Sequence, residues 1–303
     1  MTTTTTTINQ RVRLYCGDSA TVLKDSVVSE SVDCVVTSPD YWQLRGDTEI
    51  LPGEIGLEEL YTQYIEKMMT VINEVHRVLK PTGTFFLVIN DTYNTPKVRN
   101  TNGIPTSRGS GTVKQKVGMH EYGTSGVNKK LQPGIMKGST LFIPHQIAIA
   151  MIKTGKWTCK NDITWYKRNG QPNKSPSRFG LGDKESIFFF VKRSEGYYFN
   201  PQYEDSITEP GKPKHVRSVW DIPNQPSREE HYSQFPPVLC NLCIDAGCPE
   251  NGTVCDPFTG SGTTGLAALQ TGRNFIGIDI SSKFVEIARM RLLEFHGRQT
   301  RLF

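Results

Sequence analysis

The chain has 303 residues, a hydrophobic content of 36% and a formal net charge of +5. A chain of this length can bury a full core, and its composition predicts one large α/β domain with insertions. Its apolar runs stay well below the roughly 20 residues that cross a bilayer. Neither a membrane-spanning segment nor a membrane partner is therefore expected, and the composition favours a cytoplasmic protein.

The seven cysteines form an odd set, which is typical of reduced thiols rather than of a disulfide framework. Four of them, Cys240, Cys243, Cys248 and Cys255, lie close enough in sequence to suggest a zinc site. However, residues 235–246 are predicted to form a helix and Cys255 to end a buried strand, so four ligands would not converge. We therefore expect no metal and interpret these cysteines as small buried side chains.

Strands alternate with helices along the chain, which predicts an α/β fold with a doubly wound, Rossmann-like sheet. Apolar runs predict strands at residues 12–15, 32–37, 84–89, 162–166, 186–191, 253–255 and 274–278. Helical periodicity predicts helices at residues 19–24, 57–79, 144–153 and 235–246, and one that ends near residue 270. The run Pro81-Thr-Gly83 is expected to end the long second helix.

Two internal segments and the start of the chain do not follow this alternation. Residues 94–140 carry eight Lys or Arg and a single acid, Glu121. Such a segment is either a solvated loop or an arm that contacts phosphates and orders on a nucleic acid. Residues 193–230 are rich in Pro and charge and are predicted to be loops with little structure of their own. The Thr-rich start, residues 1–9, is expected to be disordered.

The run Gly260-Ser-Gly-Thr-Thr-Gly265 lies between a predicted strand and a predicted helix. Such a turn lets backbone approach a ligand closely, and Asp279 at the end of the next strand can accept both hydroxyls of a ribose. A Gly-rich turn without a ligand is the alternative. Only 24 residues follow Asp279, so the other strands of the sheet must come from earlier in the chain. The loop lacks a P-loop Lys, and an adenosine that carries an amino acid fits it better than a triphosphate.

The run Thr37-Ser-Pro-Asp-Tyr-Trp42 directly follows a buried strand, at the sheet edge where α/β folds bind ligands. The Ser38 hydroxyl and the Pro39 carbonyl can accept the two N–H bonds of an exocyclic base amine. Accepting both bonds favours the tetrahedral nitrogen that attacks a sulfonium methyl. Tyr41 can stack on a base that has flipped out of a duplex. Taken alone, this run is more often only a turn.

The order of these two motifs resembles the β-class DNA amino-methyltransferases, in which the catalytic half precedes the cofactor half. The resemblance extends over residues 12–292 and implies a circularly permuted fold, S-adenosyl-L-methionine as methyl donor and double-stranded DNA as substrate. It implies catalytic roles for Ser38, Pro39, Asp40 and Tyr41. It implies cofactor contacts for Asp18, Thr37, Phe235, Asp256, Phe258, Gly260, Ser261, Gly262, Thr263 and Asp279.

Further motifs extend this resemblance towards the DNA. Residues 162–167 and the run Glu185-Ser-Ile-Phe188 are similar to the strands and loop that flank the target base. DNA contacts are expected from Trp42, Lys114, Lys116, Lys167 and Arg178. Ordinary surface charges are the alternative for Lys167 and Arg178.

The family resemblance also bears on the base that is modified. Ser at the first catalytic position goes with N4 of cytosine, whereas Asp or Asn goes with N6 of adenine, so Ser38 favours cytosine. One departure is Asp40, where the family usually has a second Pro. This acid leaves open a catalytically decayed DNA-binding relative as an alternative. C5-cytosine chemistry is not expected, because it needs a cysteine nucleophile, typically after Pro, and none of the seven cysteines follows a Pro.

Two other activities are disfavoured. A dehydrogenase does not fit the late position of the nucleotide motif, and methylation of a protein or small molecule does not explain the basic segment. The resemblance to restriction-modification enzymes implies a prokaryotic or phage-encoded cytoplasmic protein. Its role is host protection beside a companion endonuclease that acts on the same site without direct contact, phage self-protection or regulation. The expected catalytic half consists of residues 10–93 and 141–192, with the basic loop (94–140) inserted between them. A target-recognition segment (193–230) and a cofactor half (231–303) follow.

Overall fold

The computed structural model describes residues 4–43, 51–96, 130–170, 177–209, 212–224 and 235–299. Its strands are β1 (Thr4–Asn9), β2 (Val12–Cys16), β3 (Val32–Thr37), β4 (Leu79–Ile89), β5 (Thr158–Tyr166), β6 (Lys184–Val191), β7 (Tyr203–Glu209), β8 (Lys212–His215), β9 (Val219–Asp221), β10 (Thr253–Asp256) and β11 (Asn274–Asp279). Its helices are α1 (Ser19–Ser26), α2 (Tyr61–Val78), α3 (Ile143–Lys153), α4 (Pro237–Gly247), α5 (Thr263–Gln270) and α6 (Ser282–Gln299).

One mixed sheet of nine strands organises the fold, in the order β1-β2-β11-β10-β3-β4-β6-β5-β9. The five neighbouring strands β2, β11, β10, β3 and β4 are parallel to one another. Strand β6 is antiparallel to both β4 and β5. Strand β10, although late in the chain, lies between β11 and β3. The carboxyl ends of the central parallel strands therefore meet at one edge of the sheet, which will be called the carboxyl edge.

Three helices cover each face of the sheet. Helices α1, α2 and α3 contribute to one buried apolar cluster and α4, α5 and α6 to the other. Every residue of β3 is buried, with Val35 in the first cluster and Cys34 and Val36 in the second. The largely apolar sequence of β3 thus reflects burial on both faces, as expected for a central parallel strand. The mixed α/β architecture confirms the predicted fold class.

The start of the chain is more ordered than predicted. Residues Thr4–Asn9 form an edge strand that pairs antiparallel with β2, so the expected disorder of residues 1–9 is wrong for this part. Threonine is β-branched and suits a strand, and the outer edge of β2 offers unpaired backbone groups to it. Residues 1–3 lie outside the described residues.

The segment 193–230 also contains more structure than predicted. Strands β7 and β8 form a hairpin, and β9 extends the main sheet by pairing with β5. The indole of Trp165 donates a hydrogen bond of 2.7 Å to the carbonyl of Ile222, which anchors the chain beyond β9. The segment thus adds three short strands to the predicted loops with little structure of their own, and β9 needs no periodic pattern because it pairs with the existing edge of β5.

Two element boundaries differ from the sequence prediction. Helix α2 begins at Tyr61 rather than at residue 57. Leu60 is its N-cap, and the Gln63 side chain accepts the backbone N–H of Leu60. The run Pro81–Gly83 lies inside β4 instead of forming a separate turn. Helix α6, which was not predicted, packs Ala288 and Leu292 against the sheet.

The cysteines of the zinc hypothesis lie on α4, at its C-terminus and in β10. Cys240 and Cys243 are on α4, Cys255 is in β10, and all three are fully buried free thiols, as is Cys248. Within the described ranges, no group of three or more His, Cys, Asp or Glu side chains is arranged to hold a metal ion. None of the helices found there is both long and apolar enough to span a membrane.

A glycine on α5 provides a test of how tightly this helix packs on the sheet. A Cβ at Gly265 would lie 2.6 Å from the ring of Phe275, whereas a Cβ at Gly297 on α6 meets nothing within 4 Å. We expect Gly265→Ala to lower the free energy of unfolding by about 1–3 kcal/mol through overpacking. The matched Gly297→Ala should raise it by about 0.5–1 kcal/mol. Urea denaturation measures both, and equal shifts would contradict the close packing.

Candidate active site

A cleft opens at the carboxyl edge of the sheet, and its empty space, which includes the solvent at its mouth, is about 850 Å³. The cleft is lined by Asp18, Ser19, Ser38, Asp40, Gly53, Glu54, Ile55, Phe235, Phe258, Thr259, Gly260, Ser261, Thr263, Asp279, Ile280 and Phe284. Most of the residues predicted to contact the cofactor thus line one cavity together with Ser38 and Asp40.

The glycine-rich turn forms one wall of this cleft. The Gly260 N–H donates 2.9 Å to one carboxylate oxygen of Asp279, and the Ser281 N–H donates 2.9 Å to the other. These two bonds fix the carboxylate at the end of β11. Gly262 does not line the cleft: it has a φ of +82°, and a Cβ there would lie 2.9 Å from Ala288. Gly262 therefore shapes the turn and lets α6 approach closely.

Two other predicted cofactor residues lie beneath the cleft. Asp256, at the end of β10, is 1% exposed and accepts the Thr37 hydroxyl at 2.5 Å and the Thr264 hydroxyl at 2.6 Å. It also accepts the backbone N–H of Phe258 at 3.0 Å. Asp256 and Thr37 therefore join the end of β3 to the glycine-rich turn. Burial raises the pKa of Asp256 to about 6, against the opposing effect of its three hydrogen bonds.

Asp18, which also lines the cleft, is the N-cap of α1, and the N–H of the preceding Gly17 donates to the Asp279 carbonyl at 2.9 Å. The Asp18 side chain accepts the backbone N–H of Thr21 at 2.9 Å and the hydroxyl of Thr21 at 2.7 Å. Ser19 donates to the carbonyl of Pro257 at 2.5 Å, which ties α1 to the loop after β10. The capping bonds hold the Asp18 carboxylate at the wall of the cleft.

The Ser-Pro-Asp-Tyr turn follows β3 and is fixed by several contacts. The Ser38 hydroxyl lies 3.1 Å from the Tyr41 hydroxyl, which in turn donates 2.6 Å to Glu185. The Asp40 carbonyl accepts the hydroxyl of Tyr64 at 3.0 Å. Asp40 lines the cleft, so the acid that stands where the family usually has a second Pro lies at the site. Of the predicted catalytic residues, Pro39 and Tyr41 are not among those that line the cleft.

The structure contradicts two of the predicted DNA contacts. Trp42 is 1% exposed and donates its indole N–H to the carbonyl of Glu58 at 2.8 Å, so it is a core residue. Lys167 is buried and forms an ion pair with the buried Glu185. Neither a phosphate contact nor an ordinary surface charge therefore describes Lys167, because its ammonium group is committed to a carboxylate inside the protein.

Of the other predicted DNA contacts, the structure describes only Arg178. Arg178 is exposed and its guanidinium lies 3.8 Å from the ring centroid of Tyr93. It remains a candidate for a phosphate contact beside the site. Lys114 and Lys116 lie outside the described residues.

Several lining residues were not predicted from the sequence. Ser19, Thr259, Ile280 and Phe284 flank the predicted motifs, so their proximity to Asp18, Phe258 and Asp279 was the available signal. By contrast, the stretch from Gly53 to Ile55 carries no motif. It reaches the cleft only because the chain folds back there, and a Cβ at Gly53 would lie 3.7 Å from the Ile280 side chain.

An α/β sheet with a nucleotide cleft beside a Ser-Pro-Asp-Tyr turn defines a Rossmann-like methyltransferase. A profile described as DNA methylase, which covers both N6 and N4 enzymes, matches residues 32–290. The chain therefore belongs to this family of DNA amino-methyltransferases. Membership confirms the expected methyl donor, because the family uses S-adenosyl-L-methionine.

Individual relatives cover nearly the whole chain. The type II methyltransferase M.XycI of Xanthomonas campestris pv. cyanopsidis is 34% identical over 92% of this chain and 87% of its own length. The DNA adenine methyltransferase YhdJ of Escherichia coli is 28% identical over 94% of this chain and 83% of its own length. The solved structure of the PvuII cytosine-N4-specific DNA methyltransferase matches with a TM-score of 0.62 at 18% identity, over 96% and 93% of the two chains. This last likeness concerns the fold.

The buried Asp256 makes stability depend on pH. Its folded pKa of about 6 lies above the usual value near 4, so its contribution to stability is complete below pH 4 and is lost as the pH rises through 6. The free energy of unfolding of the wild type should therefore fall by about 3 kcal/mol relative to Asp256→Asn between pH 4 and pH 7. Denaturant titrations at several pH values measure this difference. Parallel profiles for the two proteins would contradict the raised pKa.

Proposed function

We propose that this protein transfers a methyl group from S-adenosyl-L-methionine to N4 of cytosine in duplex DNA. The observation that carries the proposal is the position of Ser38 in the wall of the nucleotide cleft, beside the glycine-rich turn. A base amine held by Ser38 would lie next to a cofactor held by the turn. In this proposal the chain order is that of a circularly permuted methyltransferase, with the catalytic half first.

The charges of the cleft support a cofactor that carries positive charge. Asp18, Asp40, Glu54 and Asp279 line it, and no Lys, Arg or His does so among the described residues. S-adenosyl-L-methionine carries a sulfonium and an ammonium group, which four carboxylates attract. A triphosphate or pyrophosphate would be repelled by the same carboxylates.

Individual contacts to this cofactor follow from the lining of the cleft. The two backbone N–H bonds fix the Asp279 carboxylate and leave it lone pairs for the ribose hydroxyls. Asp18 is positioned to accept the adenine amino group, and Phe258 to pack on the cofactor. Phe235 lies at the methionine end. Ser261 and Thr263 complete the wall next to the turn.

The reaction in this proposal needs a flipped cytosine. The Ser38 hydroxyl and the Pro39 carbonyl accept the two N4 hydrogens, which localises the nitrogen lone pair for in-line attack on the sulfonium methyl. Tyr41 stacks on the base. Arg178 and the basic segment 94–140 hold the phosphates, and the segment 193–230 supplies target recognition.

Cytosine is preferred over adenine because Ser38 stands at the first catalytic position. The cytosine-N4 specificity in the name of the PvuII enzyme supports this choice, whereas that of YhdJ, an adenine enzyme, favours the alternative of N6 methylation. A decayed DNA-binding relative is the remaining alternative, because Asp40 replaces a Pro. The type II relatives support a restriction-modification role in a prokaryotic cytoplasm, where a companion endonuclease would act on the same site.

Cofactor binding provides one test of this proposal. Asp279→Asn should weaken S-adenosyl-L-methionine binding by roughly tenfold or more, because a neutral amide accepts the ribose hydroxyls less strongly than a carboxylate. Asp25→Asn, at an exposed position of α1, is the matched control and should change nothing. Isothermal titration calorimetry measures both dissociation constants, and equal affinities would remove Asp279 from the ribose site.

Methyl transfer provides the second test. Labelled cofactor is incubated with mixed-sequence DNA, and the digested nucleosides are analysed by mass spectrometry. We expect N4-methylcytosine from the wild type and a loss of about 10²-fold or more in Ser38→Ala, since an acceptor for the amine is removed. N6-methyladenine would overturn the choice of base. Cofactor binding without any methylated nucleoside would support the decayed relative.

A further inference from the structure

A chain of buried polar contacts leads away from Ser38 into the protein. Ser38 is 3.1 Å from the Tyr41 hydroxyl, Tyr41 donates to Glu185 Oε2 at 2.6 Å, and Lys167 Nζ pairs with Glu185 Oε1. The Glu185 and Lys167 side chains are 7% and 9% exposed. The chain thus runs from the wall of the cleft to an ion pair that is shielded from solvent.

The strand pairing holds the ion pair in place. Glu185 in β6 is the register partner of Trp165 in β5, and the Lys167 N–H donates to the carbonyl of Asp183 at 2.7 Å. The Lys167 ammonium also lies 4.6 Å from the ring centroid of Trp165. In this ion pair the proton lies on the Lys167 ammonium group, and the Glu185 carboxylate can only accept hydrogen bonds.

This constraint fixes the direction of each bond in the chain. An ionised carboxylate has no proton to donate, so the single proton of the Tyr41 hydroxyl points to Glu185. The Tyr41 oxygen can then only accept, and the bond between the two hydroxyls must be donated by Ser38. With its proton turned towards Tyr41, Ser38 presents only lone pairs to the cleft.

We propose that Glu185 is a positioning residue for methyl transfer, and that it acts through Tyr41 to set the Ser38 hydroxyl as an acceptor. This inference rests on the proposed function. It assigns Tyr41 a task besides stacking, because the hydroxyl group transmits the charge of Glu185 to Ser38.

The same chain removes the proton that the reaction releases. When the amine nitrogen bonds to the methyl carbon, the S–C bond breaks and its electron pair stays on sulfur. The methylated nitrogen then gives a proton to Ser38 Oγ, as the Ser38 proton moves to Tyr41 and the Tyr41 proton to Glu185. The proton stays on Glu185 until the product leaves, and the relay then runs in reverse through Tyr41 and Ser38 to water in the emptied cleft, which restores the carboxylate before the next turnover. The positive charge that develops on nitrogen is thus neutralised inside the site.

A double-mutant cycle separates this role from a purely structural one. Glu185→Gln, Tyr41→Phe and the double variant are compared in single-turnover methylation of DNA, with dissociation constants for cofactor and DNA measured in parallel. We expect each single variant to lose about 10²-fold in rate with affinities nearly unchanged, because both break the same chain. The double variant should lose no more than either single variant.

The controls are Glu66→Gln and Tyr61→Phe, which change an exposed acid and a partly exposed tyrosine on α2, outside the chain of contacts and the proposed DNA surface. Both should keep the wild-type rate. Thermal melting checks the fold of each variant. If Glu185→Gln does not fold, Tyr41→Phe decides alone, since it leaves the buried ion pair intact and must still lose about 10²-fold.

Full activity of Glu185→Gln or Tyr41→Phe would overturn the inference, as would losses that multiply in the double variant. Failure of the proposed function would give a different result. The wild type itself would then methylate no DNA, whatever residue occupies position 185.

Discussion

The buried carboxylate of Asp256 is the interaction on which the site depends. It accepts hydroxyl protons from Thr37, at the end of one strand, and from Thr264, in the first turn of the helix after the glycine-rich loop. The turn that would hold the base amine and the loop that would hold the cofactor are therefore fixed to the same two oxygen atoms. In-line methyl transfer tolerates little variation in the distance between donor and acceptor. A rigid link beneath both partners meets this requirement at the cost of burying a charge.

The sign of the charge differs between the cleft and the basic segment, and in each it suits the proposed ligand. Carboxylates line the cleft that suits a sulfonium cofactor. The excess of Lys and Arg is instead concentrated in residues 94–140, whose sequence suits a polyanion. The buried pair of Lys167 and Glu185 belongs to neither surface. It places a carboxylate oxygen next to the Tyr41 hydroxyl, where the reaction would release a proton.

The sequence predicted most of the fold and the main parts of the cleft, because strong local patterns mark them. The apolar run of β3 and the glycine-rich turn are examples, and each lies within one element or its boundary. The wrong predictions concern residues and strands whose environment is set by contacts with other parts of the chain. Trp42 and Lys167 were expected at the DNA, but each is buried by a partner distant in sequence, Glu58 for the indole and Glu185 for the ammonium group. Likewise, β1 and β9 exist because β2 and β5 offer them an edge.

The central position of β10 has a consequence for how the chain folds during synthesis. Cys34 pairs with Val254, which leaves the ribosome 220 residues later. Until then β3 has one open, apolar edge in the middle of the unfinished sheet, and such an edge can pair with other chains. Contacts of this sequence separation also make folding slow, because a long loop must close first. Nascent chains of this protein should therefore depend on chaperones until their last strands have been made.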